Sequence, residues 1–537
     1  MASHRRLSAI KLSASSGTWS PLRHALFRSV WIATIVSNVG TWMQDVGAGW
    51  LMTSLSGSPA MVALVEAADS IPVMLLALPA GALADIVDRR RLLIAVQGYL
   101  MTVTAILGVL TLMGAMTAWL LLGFIFALGV GSALMMPAWS AIVPDLVPSE
   151  ELQPAVALNS VAVNVSRAIG PAIAGVLVAA VGPWLVFVLN SLSYIGIIAV
   201  LIAWKHDHHR STLPAERFLS AIRVGLRFVM HTRPLQAVLV RGVAFFVFAS
   251  ATWSLFPLVV RAELHRGPEI YGLLLTSIGI GAVSGALVLP RLRARFTRDA
   301  LVAGASLLYA LAALVLGYSQ NLAVLIVAML ATGVAWISIL SALQISAQTT
   351  LPPWVRARGL AAFVVTFMGG MALGSILWGQ VATRIGIPYA LTAAAAGMTA
   401  AIALTWRFRL GDHKVLDFTP AMDLPLPVLA EPPEPDVPVM VSIQYGVRAD
   451  KRAEFVAAMQ AVREMRRRNG AYFWQLFHDS EDPTRYVEVF MDESWLEHLR
   501  QHERTSIADR DVLNRAKAYL LQGYETKPAH WLGDREN

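Results

Sequence analysis

An internal repeat limits what this chain can fold into more than any other feature. Residues 129–182 reappear, without a gap, 204 positions later, and the register extends back to Gly81. Gly81, Gly129, Pro148, Gly170, Gly175 and Gly182 fall on Gly285, Gly333, Pro352, Gly374, Gly379 and Gly386, while Arg89 and Arg91 fall on Arg293 and Arg295. A chance match at one offset would not carry glycines, a proline and loop arginines together. Both copies are apolar: the 537 residues are 56% hydrophobic and only 15% charged, where a soluble chain carries about a quarter charged residues. Two parallel apolar halves of about two hundred residues imply a secondary transporter whose halves rock around a central cavity.

A helix needs about 20 apolar residues to cross the hydrocarbon core. Twelve stretches qualify as expectations: 27–53, 60–84, 92–113, 119–143, 153–181 and 184–204, then 236–260, 271–289, 300–318, 322–349, 359–384 and 388–408. The expected fold is an all-α polytopic membrane protein with twelve transmembrane helices in two pseudo-repeated six-helix halves, spanning 25–204 and 236–410. The polar, basic segment 1–24 precedes a first span too long for a signal-peptide core, which reads as uncleaved.

Charge sets the expected orientation. The loops near 55–59, 114–118, 182–183 and 319–321 contain no Lys or Arg, whereas the alternate loops carry Arg89-Arg90-Arg91, the run from Lys205 to Arg233, Arg291 to Arg298, and Arg356 and Arg358. Both termini are therefore expected in the cytoplasm of a bacterial inner membrane. Two loops break the pattern: 144–151 is acidic, and 261–269 carries Arg261 and Arg266. The net charge of +8 is thus a topology signal and does not call for nucleic acid. With no cysteine in the chain, disulfides, thiolate metal sites and cysteine nucleophiles are excluded.

Residues 205–235 connect the halves. Phe218, Ile222, Leu226 and Val229 recur at helical spacing beside Arg217, Arg223 and Arg227, which fits either a helix on the inner membrane surface or a connector packed on the protein. A Pro-rich acidic linker, 411–438, leads to a small cytoplasmic α+β domain at 439–534. There Val439, Val441, Ile443, Tyr445 and Val447 alternate as a strand. A helix at 450–469, strands near 471–478 and 484–491, a helix capped by Ser494 with Glu497 three positions on, and a strand near 524–532 complete a β-α-β-β-α-β, ferredoxin-like order. His498 and His502 lie one turn apart, but two helical histidines need at least one more oriented ligand. They read as a polar helix face, so no metal and no cofactor is expected.

The loop after the second span runs Gly81-Ala82-Leu83-Ala84-Asp85-Ile86-Val87-Asp88-Arg89-Arg90-Arg91. It resembles the inter-span motif of the major facilitator superfamily. The resemblance implies an inner gate built from Gly81, Asp85, Arg89 and Arg90, with Asp85 meeting the positive N-terminus of the eleventh span near Arg358-Gly359. Gly81 would permit close packing. Leu289 takes the place of the aspartate in the second copy, so the latch is expected to be one-sided. In the fifth span, Gly170-Pro171-Ala172-Ile173-Ala174-Gly175 resembles the Gly-Pro motif of the superfamily's antiporters, which implies export. The start of the first span, with Asn38, Trp42 and Asp45, and the tail segments Arg466–Ala471 and Ser494–Arg504 are similar to the branch that includes enterobactin exporters, the transmembrane effectors.

Charges inside the membrane are costly and mark function. Asp45 lies about 27 Å along the first span at 1.5 Å per residue, and Asn38, Trp42 and Asp45 share a face. Glu66 and Asp69 share a face of the second span. Asp45, Glu66 and Asp69 are the candidate proton carriers. Asn38, Trp42, Asn164, Arg167, Gln344 and Gln348 are the candidate cavity residues. The expected function is proton-coupled export of a siderophore, drug or similar amphipathic metabolite. Its partners would be the small-molecule substrate, protons and the bilayer, with self-association through the C-terminal domain. An importer, or a membrane-tethered enzyme or sensor acting through the tail, stays open. No ATP-binding loop of the Gly-x-x-x-x-Gly-Lys-Ser/Thr type is present, and nothing marks the chain as an enzyme.

Overall fold

The computed structural model describes residues 19–142, 146–204, 225–352, 354–411 and 437–533. Twelve long helices follow one another: α1 (Ala25–Leu55), α2 (Pro59–Ile86), α3 (Arg89–Leu112), α4 (Ala118–Ile142), α5 (Leu152–Ala180), α6 (Pro183–Ala203), α7 (Arg233–Leu258), α8 (Pro268–Arg295), α9 (Arg298–Tyr318), α10 (Leu322–Thr350), α11 (Arg356–Ile385) and α12 (Ile387–Leu404). Eleven of these are long and apolar enough to cross a membrane; α1 is the exception. Its 31 residues give it the length, but Arg28, Asn38, Gln44 and Asp45 dilute its apolar run. It nonetheless packs along α5 and α6 as part of the first half.

The repeat has a structural meaning at each glycine pair. Gly182 and Gly386 both adopt positive φ, 112° and 88°, in the tight turns that reverse α5 into α6 and α11 into α12; only glycine takes this backbone without strain. Pro183 then opens α6 at its first turn, where a proline removes no helical hydrogen bond. A Cβ on Gly170 would meet Trp42 of α1, and one on Gly374 would meet Val247 and Ser250 of α7. One on Gly175 would meet Pro268 and Gly272 of α8, and one on Gly379 would meet Pro59, Ala60 and Ala63 of α2. Small residues at these positions let helix backbones approach closely, as bundles in lipid require. Gly81 differs from its repeat partner. Gly285 sits against Val334 and Ile337, whereas a Cβ on Gly81 would meet nothing within 4 Å among the described residues.

The connector lies partly outside the described residues, since only 225–230 of its helix is described. One side of that part packs on the protein, while Leu226 and Met230 are exposed. Phe228 is buried and meets the edge of Trp354 at 5.7 Å. Residues 1–18 and 412–436, which hold most of the N-terminal segment and the linker, lie outside the described residues.

The C-terminal region forms β1 (Val439–Gly446), α13 (Arg452–Asn469), β2 (Phe473–His478), β3 (Arg485–Asp492), α14 (Trp495–Arg504), α15 (Ile507–Lys517) and β4 (Pro528–Leu532). The strands make one antiparallel sheet in the order β2-β3-β1-β4. Helix α15 is one more than the sequence reading expected. Ser506 and Asp509 cap it reciprocally, a box with aspartate in the place where Glu or Gln is the usual signal. The alternating Val439, Val441, Ile443 and Tyr445 of β1 face Phe455, Met459, Val462 and Met465 of α13 in the core. Glu488 is fully buried there, accepting from Tyr445 Oη at 2.7 Å, Trp474 Nε1 at 2.9 Å and Arg466 Nε at 3.1 Å. Every acceptor site of such a buried carboxylate has to be satisfied for it to be tolerated.

Candidate functional site: a carboxylate cluster between the halves

The first half brings its three intramembrane carboxylates together. Asp45 of α1 and Glu66 and Asp69 of α2 lie within range of one another's charge, and Asp45 and Glu66 also act on Tyr271 of α8, in the other half. Asp45 and Asp69 are exposed while their helical neighbours Gln44, Val46 and Ser70 are buried. Glu66 is half-buried and accepts a hydrogen bond from Ser70.

Behind Asp45, a buried polar network fixes α1 to its own half. Gln44 Oε1 accepts from Asn190 Nδ2 at 2.9 Å and from Thr104 Oγ1 at 3.1 Å. Asn190 in turn is tied to Ser193 and Tyr194. This network holds the phase of α1, so the adjacent Asp45 must point away from the interior of the half. Sequence reading did not single out Gln44 or Asn190, although a glutamine beside an intramembrane aspartate was the available signal.

Arg167 of α5 lies one helical turn from Asn164 and stacks its guanidinium 5.4 Å from the centre of the Trp42 ring. Its Nε is buried with no hydrogen-bond partner among the described residues. The helix is held there by Gly170 against α1 and by the approach of Gly279 of α8 to Ala168. Trp42 and Arg167, candidates from different helices, are thus in direct contact. Asn38 and Asn164 are half-buried, and Asn164 donates back to Ser160 O at 2.8 Å. Gln344 and Gln348 are exposed on α10, while their neighbours Leu343 and Ala347 are buried. Among the described residues no contact joins them to the carboxylates.

The glycine crossings that join the halves lie from the middle of the helices to the end opposite the arginine loops. Pro171 and Gly175 of α5 meet Pro268 and Gly272 of α8, and Met74 and Ala63 of α2 meet Gly369 and Gly379 of α11. At that end Arg261 reaches across from the end of α7. It donates to Thr53 Oγ1 at 3.0 Å and Ser54 Oγ at 2.5 Å and stacks 5.5 Å from the Trp50 ring centre. Trp50 stacks in turn on Tyr271 at 6.1 Å. The arginine that broke the charge pattern therefore ties the end of α7 to the end of α1, across the two halves. At the other end, Asp88 caps α3, and Arg90 donates to the last carbonyls of α6, Leu201 O and Ile202 O, both at 2.6 Å. Arg89 is exposed at the first turn of α3, and the side chain of Asp85 lies outside the described residues.

A further cluster escaped the sequence reading. Phe245, Phe246, Trp253, Tyr309, Trp336 and Phe367 pack ring against ring in the second half, with centroid separations between 4.6 and 6.4 Å. They come from α7, α9, α10 and α11, and no local spacing links them.

In the tail, His498, His502 and His530 converge, and they are the described group able to hold a metal ion. Burial, then the neighbouring His498, His530 and Arg466, pushes the His502 imidazole down to about 4.

Solved transporters share this fold. Superposition on the nucleoside transporter NupG gives a TM-score of 0.60 at 11% identity, covering 71% of this chain and 99% of that one. A bacterial homologue of the human lysosomal transporter Spinster, inward-facing and occupied, gives 0.58 at 15% identity over 72% and 97%. Among curated relatives, the staphyloferrin A transporter of Staphylococcus aureus is 28% identical over 47% of this chain, a match that spans 64% of that protein's length. The multidrug efflux pump Tap of Mycobacterium tuberculosis is 25% identical over 74% of this chain and 96% of its own. The macrolide efflux protein A of Streptococcus pyogenes is 21% identical over 49% and 65%. The family described as transmembrane secretion effectors matches residues 16–536, the C-terminal sheet included. The chain is a multi-pass membrane transporter, not an enzyme, and belongs to the transmembrane secretion effector family of the major facilitator superfamily.

Proposed function

We propose that this transporter is a proton-coupled exporter in a bacterial inner membrane, moving a siderophore, a drug or a similar amphipathic metabolite by alternating access. The observation that carries this reading is the cluster of Asp45, Glu66 and Asp69 beside Tyr271 of the other half. Intramembrane carboxylates serve as proton relays, and this group stands next to the contacts that close one end of the cavity. Arg167 on Trp42, with Asn38 and Asn164 nearby, would hold the polar part of a substrate, and Gln344 and Gln348 would line the opposite wall. Protonation of Asp45 or a neighbouring carboxylate would be exchanged for release of substrate.

In this reading α1 is the twelfth span, the arginine loops and both termini are cytoplasmic, and the cavity opens inward. Gly81, Asp85, Arg89 and Arg90 would close the inner gate in the alternate state. Segments 25–204 and 236–410 are the rocking halves, 205–235 connects them, and 411–438 tethers the ferredoxin-like domain at 439–534. Export is supported by the Gly170, Pro171 and Gly175 motif, in which Gly170 meets α1 while Pro171 and Gly175 form the crossing of α5 on α8, and by relatives described as efflux proteins. The sheet face carrying Val487, Val489, Phe477 and Trp531 is half-buried or exposed; it suits pairing with the same face of a second copy.

The test is efflux of fluorescent drugs and an iron chelator from cells expressing the chain, with and without a proton uncoupler, beside Asp45→Asn. Uncoupler-sensitive efflux that is lost in the variant is the expected result. Accumulation of substrate would reverse the direction, and efflux indifferent to the uncoupler would reject proton coupling.

A further inference from the structure

We propose that the tail holds a divalent transition ion of the zinc type on His498, His502 and His530. The local structure orients all three rings. Ser494 Oγ accepts from Glu497 N at 3.2 Å and caps α14, which fixes its phase and stacks His498 and His502 on one face, four residues apart. Strand β3 ends at Asp492, so its carboxylate lies under the first turn of that helix. His498 Nδ1 donates to Asp492 Oδ2 at 2.8 Å, with both side chains about 1–2% exposed. This bond selects the tautomer in which His498 Nε2 carries the free lone pair. A carboxylate behind a ligating imidazole is the recurrent outer-shell arrangement of histidine metal sites.

The spacing fits an ion. His498 Nε2 and His502 Nε2 are 3.2 Å apart. Two nitrogens at about 2.0–2.1 Å from a tetrahedral zinc stand about 3.4 Å from each other. His530 enters from the edge strand β4, where it pairs with Val441 of β1, and its ring centre is 5.0 Å from that of His498. One ligand nitrogen from each of the three residues lies within 4.8 Å of the other two. Closing the set therefore asks about 1.4 Å of the third ring, the difference between 4.8 Å and the tetrahedral spacing. His530 is half-buried on an edge strand, whereas His498 is buried in a helix, so it is the ligand best able to move.

A further observation favours an occupant. The nearest cation, Arg466, is already paired with Glu488 at 3.1 Å, so a second positive charge does not meet an uncompensated one. Trp495 covers one side, 5.5 Å from His498 and 6.3 Å from His530 between ring centres. Three imidazoles suit zinc, cobalt or nickel over the oxygen-loving magnesium and calcium, and three protein ligands leave a fourth position for water or an anion.

The experiment uses the purified full chain, with any affinity tag removed, loaded with zinc and with cobalt as a spectroscopic probe. Equilibrium dialysis should give one ion per chain, and cobalt should produce the visible absorption of a four-coordinate site. His502→Ala and His530→Ala should abolish both, His478→Ala, outside the cluster, should keep both, and Asp492→Asn should weaken zinc binding about 10–100-fold through loss of the outer-shell bond. Because α14 could be disturbed by a change at His502, the edge-strand variant His530→Ala decides the case. No stoichiometric binding, or binding unchanged in His530→Ala, overturns the proposal.

Discussion

Gly272→Ala should push the transporter out of the conformation described here. The added Cβ would fall against Pro171 O, 2.9 Å from Gly175 Cα and 3.1 Å from Gly175 N. All three are backbone atoms, so no side chain can swing aside and the helices must separate by several tenths of an ångström. Overpacking of this kind costs about 1–3 kcal/mol. In the alternating-access cycle proposed above, the crossing of α5 on α8 opens in the other state, so the cost falls on one state alone. At 1.4 kcal/mol per tenfold, the closed population should drop by about one to two orders of magnitude relative to the alternate state. The chain has no cysteine, so spin labels on Gly57→Cys and Gln320→Cys would report the distance across that end. Gly304→Ala serves as the control, since nothing among the described residues lies within 4 Å of its added carbon. A longer distance is expected with Gly272→Ala and none of that change with Gly304→Ala. Identical distributions in the two variants would refute the reasoning.

Three more outcomes are expected. Arg261→Ala removes the bonds to Thr53 and Ser54 and the stacking on Trp50, together worth about 1–3 kcal/mol; the same label pair should show partial opening, smaller than with Gly272→Ala. Arg227→Ala breaks the 2.6 Å ion pair with Glu493 and the 3.1 Å bond to Gly470 O, and faster hydrogen exchange across 493–504 should follow, with the exchange of β1 unchanged. In the β2–β3 turn, hydrogen bonds from the backbone at Glu481 and from Arg485 hold the Asp479 carboxyl below its usual range. That stabilisation is present above the ordinary value of 3.8 and lost as pH falls through the lower folded value, so the protection of the turn amides relative to their intrinsic exchange rate should fall there and stay constant from pH 5 to 7.

The helices were legible because each is a run of some twenty apolar residues, and their grouping was legible because Gly170, Gly175 and Gly182 recur as Gly374, Gly379 and Gly386. What the glycines touch was not legible, since it depends on which helices cross. Asp45, Glu66 and Asp69 stood out as charges where lipid forbids them, and so did Arg167. Their surroundings did not: Gln44, Thr104 and Asn190 meet across three helices, and the aromatic rings from Phe245 to Phe367 are spread over four. The same limit applied in the tail. His498 and His502 formed a visible pair, but the third imidazole, His530, arrives only through the pairing of β4 with β1. Arg261, which counted against the orientation, proved to be held by Thr53, Ser54 and Trp50.

Trp354 immediately precedes α11, the helix that crosses α2 between the halves. Arg504 of the tail stacks 4.7 Å from its ring centre, and Phe228 of the connector meets its edge at 5.7 Å. The entry to a moving helix is thus clasped by a segment that does not cross the membrane. Linkage makes this contact reciprocal. A solute that binds the docked tail more tightly than the released one must favour one orientation of the cavity by the same factor, and the transported molecule must alter the tail's affinity for that solute equally. The energy held in this stack sets the upper bound on how strongly the tail can bias the transporter through Trp354.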